Sequence, residues 1–229
     1  MQLPSEVPVM ILPNTILFPQ AMLPLYIFEP RYRRMLADVL NSHRMFAMAL
    51  QKPGVNRESP CPIAGLGLVR ASVDHPDGTS HLYLQGISRV ELTSTVRYKP
   101  YRVCRIRPLE VEVTQSDEID ALATKVRELV MDLLRHGAQF SFPILQQLVG
   151  NKDQAEAQSL ATEALEFFLS RVRDSKDAGQ LADLVSGALL PSPILCQAVL
   201  ETADVTQRLQ LVVQFLIAEL RRGKKRKSS

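Results

Sequence analysis

His75, Asp77 and His81 flank one predicted turn, and imidazole with carboxylate is a donor set that could converge on a transition metal. No paired cysteine spacing supports zinc here, so the three residues read as an exposed turn and no metal site is assigned. Phosphate-cradling chemistry needs glycines ahead of a Lys-Ser or Lys-Thr pair. Gly223-Lys224 is followed by Lys225 and has no upstream glycine at that spacing, so no nucleotide site is read. Gly86-Ile87-Ser88 places Val90 where a nucleophile elbow requires a second glycine. Asp117, Glu118 and Asp120 suit the first turn of a helix, where the dipole favours acid, better than a catalytic carboxylate pair. No nucleophile has a readable base, and the expectation is a chain without catalysis and without a cofactor.

Aromatic and apolar residues offer a different chemistry, that of non-covalent capture. Phe18, Tyr26, Phe28 and Tyr32 lie close together in sequence, and most such residues belong to a core. The segment Ile16-Leu17-Phe18-Pro19 is apolar where a loop between strands should be polar. Such a tip either tucks into the fold, the first expectation here, or forms part of a binding patch. Under the second reading the candidate peptide-binding residues are Leu17, Phe18 and Pro19, with Tyr26, Tyr32 and Tyr83 as amphipathic neighbours. Tyrosine fits that role because it pairs a large apolar face with a polar tip.

The elements that must position these residues fall into two textures, divided near residue 113. Before it, 7–12, 22–28, 45–50, 65–73, 80–95 and 101–107 read as strands, and 30–43 as a helix opened by Pro30. The segment His75-Pro76-Asp77-Gly78-Thr79 has tight-turn chemistry, and Gly86 inside a long strand predicts a bulge or bend. Six strands with one inserted helix predict a small mixed barrel. After residue 113 the period becomes helical. Ile119, Leu122, Val126, Leu129, Val130 and Leu133 form one stripe, with Gly137 placed to stop it. Leu160, Ala164, Phe167, Phe168 and Val172 form a second, and Leu181 to Leu189 a third that ends at Pro191. Ser192-Pro193 opens a further helix, and Asp204 with Gln207 resembles a capping box ahead of a last helix roughly 28 Å long.

Composition bounds the function. The hydrophobic share of 46% and the charged share of 22% are those of an ordinary soluble globular protein. No apolar run is long enough for a membrane span, no signal segment is visible, and Cys61, Cys104 and Cys196 suit reduced thiols. The expected location is cytoplasmic. The formal charge is +3, but Arg221, Arg222, Lys224, Lys225, Arg226 and Lys227 crowd the end, leaving a mildly acidic body. An acidic body is poor material for tracking phosphates.

Residues 7–19, followed by Leu23-Pro24-Leu25-Tyr26-Ile27-Phe28-Glu29, resemble the opening of the Lon protease N-terminal domain. The resemblance continues through Gly65-Leu66-Gly67, Asp77-Gly78-Thr79 and Leu84-Gln85-Gly86-Ile87-Ser88-Arg89-Val90. It extends to Leu181-Ala182-Asp183-Leu184 and the run from Gln197 to Leu209, covering about residues 5 to 222. It implies an α+β protein. A PUA-like mixed β-barrel with an inserted helix would occupy 5–112, a C-terminal helical bundle ending in a long helix 116–222, and a basic disordered tail 223–229. It further implies a stand-alone substrate-recognition module without the family's ATPase or Ser-Lys dyad. Such a module would bind unfolded or specific protein segments, bind no nucleotide, and act as a monomer or weak homodimer. Two alternatives stay open: RNA binding, as in other PUA-like barrels and supported by Arg102, Arg105 and Arg107, and an unrecognised hydrolase.

Overall fold

The alternation of β-prone segments with proline and glycine becomes six strands with one helix packed against them by a single face. A computed structural model describes residues 3–55, 57–110, 116–136 and 154–227. The chain divides into two compact units, Met1–Glu110 and Val111–Ser229.

In the first unit the order is β1 (Glu6–Leu12), β2 (Met22–Ile27), α1 (Pro30–Leu40), β3 (Met45–Leu50), β4 (Ile63–Asp74), β5 (Ser80–Arg97) and β6 (Val103–Pro108). Strands β5, β4, β3, β1 and β6 pair in that sequence, and β6 returns to β5, which closes a ring. β1 and β3 run parallel, and the other pairings are antiparallel. The length of β5 lets it serve two neighbours on one edge, β2 through Ser80–Gln85 and β6 through Val90–Arg97. Register shifts in β4–β5 and β5–β6 provide the local bends that closure demands.

β6 leaves β1 after Pro8, with Val9 still donating to the Arg102 carbonyl. Beyond that point α1 takes over. Its apolar face, Tyr32, Met35, Leu36 and Val39, is buried in a core shared with Met10, Phe46, Leu82 and Leu84. Tyr32 Oη accepts from the Ile11 amide at 3.2 Å and can donate to the Ile11 carbonyl at 3.2 Å or to Glu58 at 3.2 Å. Burial pushes the Tyr32 phenol up to about 12, partly offset by its Ile11 hydrogen bond, so it stays protonated near neutrality.

The apolar loop between β1 and β2 tucks in. Leu17 and Phe18 are buried, and the reason lies far along the chain. A Cβ on Gly65 would stand 2.0 Å from the Leu17 carbonyl oxygen, and one on Gly86 2.0 Å from that of Phe18. Two glycines therefore let the loop backbone lie directly on β4 and β5, where the Gln20 amide donates to the Gly86 carbonyl at 2.7 Å.

The second unit contains α2 (Asp117–Arg135), α3 (Gln154–Asp174), α4 (Ala178–Leu189), α5 (Pro193–Glu201) and α6 (Val205–Lys227) among the described residues. Local capping sets the starts: Ser116, Asp177 and Ser192 each accept a backbone N–H within their helix. Asp204 Oδ1 accepts from the Gln207 amide at 2.7 Å. Gly137, read as the stop of α2, lies outside the described residues. Phe167, assigned to the α3 stripe with Phe168, is instead exposed, because adjacent residues on a helix point about 100° apart and Phe168 takes the inward position. α6 extends through Lys227, over part of the run 223–229.

Candidate functional site

In β2, Met22 and Tyr26 are exposed while Leu23, Pro24, Leu25 and Ile27 are buried, so the period of two holds at every position but Pro24. Tyr26 sits opposite His81 of β5, and His81 sits opposite Val73 of β4, so one row crosses three strands. Tyr83 follows on the same face of β5, opposite Pro24 and Ala71. Phe28, just past β2, stacks against Tyr26 with ring centroids 5.8 Å apart, and Tyr26 packs on the His81 ring at 4.7 Å. The relative exposures are 44% for Tyr26, 59% for Phe28, 60% for Val73 and 39% for Tyr83. Single exposed apolar side chains are ordinary on a protein surface, whereas a row joined by strand register is a contiguous apolar face.

Beside that face, the β4–β5 turn encloses a shallow concavity of about 460 Å³, lined by Tyr26, His75, Pro76, Asp77, Thr79 and His81. The turn is closed by the His75 amide donating to the Thr79 carbonyl at 2.8 Å, with Gly78 at φ 77°. Asp77 Oδ1 accepts from the Thr79 hydroxyl at 2.7 Å and the Thr79 amide at 2.9 Å. These bonds, with a smaller contribution from the charges of His75 and Arg33, hold the Asp77 carboxyl below the usual aspartate value.

The six sequence candidates therefore separate. Tyr26 and Tyr83 share the outward face. Leu17, Phe18 and Tyr32 are buried, the first two against the glycine contacts and the third against the edge of β1. Pro19 is half-buried in the tucked loop. Phe28, Val73 and His81 were not among the candidates, although strand parity puts Phe28 on the side of Tyr26 and His81 on the side of Tyr83.

The arginines that favour an RNA reading are engaged with acceptors. Arg105 pairs with Glu6 at 3.1 Å and Arg107 with Glu91 at 2.5 Å. Arg102 donates to the Glu58 carbonyl at 2.7 Å and to Thr95 Oγ1 at 3.2 Å. Phosphate tracking needs a row of unneutralised cations, and with Arg105 and Arg107 paired to carboxylates only Arg102 of the three keeps neutral partners. The thiols are equally unsuited to nucleophilic work. Cys61, Cys104 and Cys196 are buried, and burial raises Cys104 and pushes Cys196 up to about 11. Among the described residues no three His, Cys, Asp or Glu side chains group as a metal ion would need. No helix among them is long and apolar enough to cross a membrane.

These features define a class: an α+β protein that exposes a row of apolar side chains on its β-sheet. The model of the ATP-dependent protease La (LON) substrate-binding domain matches residues 6–218. The chain belongs to that family. A Lon protease of Dictyoglomus thermophilum is 25% identical over 223 residues, covering 95% of this chain and 25% of that protein. Lon protease 1 of Herpetosiphon aurantiacus is 26% identical over 224 residues, with 95% and 25% covered. The chain thus spans about a quarter of the length of these curated relatives, and the matched part is the substrate-binding region. The fold is similar to the N-terminal domain of a Mycobacterium avium complex Lon protease, with a TM-score of 0.68, 18% identity and coverage of 92% and 97%. It is also similar to a Lon N-terminal domain protein from Xanthomonas campestris, with a TM-score of 0.60, 19% identity and coverage of 93% and 99%.

Proposed function

We propose that this chain captures exposed apolar segments of other proteins on the face formed by Tyr26, Phe28, Val73 and Tyr83, and catalyses nothing itself. The observation that carries the reading is the continuous row across β2, β5 and β4, on a domain whose family is defined by substrate binding. Side chains inside the barrel already satisfy its core, so folding alone gives no reason for three aromatic rings on the outside. Aromatic rings supply large contact area at small entropic cost, which suits loose recognition of many sequences. Working as a monomer or weak homodimer, in a reducing cytoplasm and without nucleotide, belongs to the same proposal. The buried free cysteines fit that compartment.

Salt separates this reading from nucleic-acid binding. A fluorescently labelled, reduced and carboxymethylated α-lactalbumin serves as a permanently unfolded probe. Apolar capture changes little over a roughly tenfold rise in salt, whereas phosphate-driven binding falls by orders of magnitude. Failure to bind the probe, together with tight salt-sensitive binding of single-stranded RNA, contradicts the proposal.

A further inference from the structure

We propose that His75 and His81 form a two-imidazole chelate for one divalent transition-metal ion of the zinc, copper or nickel type. The backbone makes the pairing. The turn closes with His75 opposite Thr79, and the next outward pair along the ladder is Val73 opposite His81. Both imidazoles therefore stand on the same face, His75 in the turn just past β4 and His81 on β5. Their rings meet edge to face at 4.9 Å, and His75 Nε2 lies 2.6 Å from His81 Nδ1.

Two nitrogens so placed can share a proton, one donating and one accepting, or they can both present lone pairs to one cation. Metal–imidazole bonds of about 2.0–2.1 Å require the two nitrogens to stand about 3 Å apart. Small side-chain rotations at two exposed residues provide that separation. The neighbouring charged groups are Asp77, Asp74 and Arg33. Asp77 lines the same concavity, its carboxylate accepting from the Thr79 amide and hydroxyl. Asp74, at the end of β4, is occupied in accepting from Ser80 Oγ at 2.7 Å. Tyr26 closes the β2 side with its ring against His81, and Arg33 of α1 lies over Gly78 on the turn. Imidazole donors select zinc, copper and nickel over calcium and magnesium, which prefer oxygen. With two protein nitrogens as ligands, water completes the coordination.

The proposal is independent of segment capture, and its test uses metal alone. Zinc chloride is titrated calorimetrically into the full chain near pH 7.5. One ion binds per chain. His75→Ala and His81→Ala each weaken binding by about tenfold or more, since even groups behind a ligand are worth that much. His136→Gln, in the other unit, leaves zinc binding unchanged. As a measurement on the unaltered chain, substoichiometric copper sulfate gives an electron paramagnetic resonance spectrum with two-nitrogen splitting and broadens the proton signals of His75 and His81 first. No zinc heat, zinc binding retained in the His75→Ala/His81→Ala double variant, or a copper spectrum showing one nitrogen overturns the proposal.

Discussion

Tyr32 reaches from α1 to Ile11 of β1 and satisfies both backbone groups of that residue at 3.2 Å, closing the barrel where β6 has departed. Tyr32→Phe removes the hydroxyl and leaves buried polar groups unpaired, at a cost of about 1–3 kcal/mol. The burial of the Tyr32 phenol predicts an alkaline signature. The folded phenol ionises near 12, above its ordinary value of 10.0, so its stabilising effect is full below pH 10 and is lost as pH rises through 12. A shift of that size is worth about 2–3 kcal/mol. Urea unfolding from pH 8 to 12 should show wild-type stability falling more steeply than that of Tyr32→Phe. Parallel curves contradict the assignment.

Phe18→Ala tests the tucked loop. A buried phenylalanine truncated to alanine costs about 3–5 kcal/mol. Gly86→Ala attacks the same contact from the other side, because its Cβ would meet the Phe18 carbonyl oxygen at 2.0 Å. Both variants should unfold at much lower urea, while probe capture per folded molecule stays at the wild-type level. A stable Phe18→Ala that captures poorly would return this loop to the binding surface.

In the helical unit, Arg208 is buried, forms an ion pair with Asp183 at 3.6 Å and donates to the carbonyls of Thr202 and Ala203, both at 2.9 Å. Removing one partner strands a buried charge, so Asp183→Ala should destabilise the chain by about 3–5 kcal/mol. Calorimetry checks this. A melting temperature within a degree of wild type would show that the pair is dispensable.

The elements were legible where their causes are local. Ser192 with Pro193 and Asp204 with Gln207 announce helix starts because the capping atoms lie within three residues of the groups they satisfy. The site was legible only in part. Tyr26 and Tyr32 stand six residues apart and look alike in sequence, yet strand parity turns one out while helical period turns the other in. The fate of Leu17 and Phe18 depends on Gly65 and Gly86, more than forty-five residues away in sequence, which no local pattern encodes. Arg208 could have been found: it lies three residues after Val205 and four before Val212, on the buried stripe of α6, where a charge demands a buried partner.

The central claim is that the outward face of β2, β5 and β4 holds apolar segments. Its most direct measurement is the affinity of a Tyr26→Ser/Phe28→Ser/Tyr83→Ser variant for carboxymethylated α-lactalbumin, read beside its melting temperature. Exposed positions tolerate such changes within about 0.5 kcal/mol each, so the fold should persist. Capture should weaken by about 2 kcal/mol or more, as expected when anchor residues are lost. A variant that melts like wild type and captures the probe equally well would contradict the account.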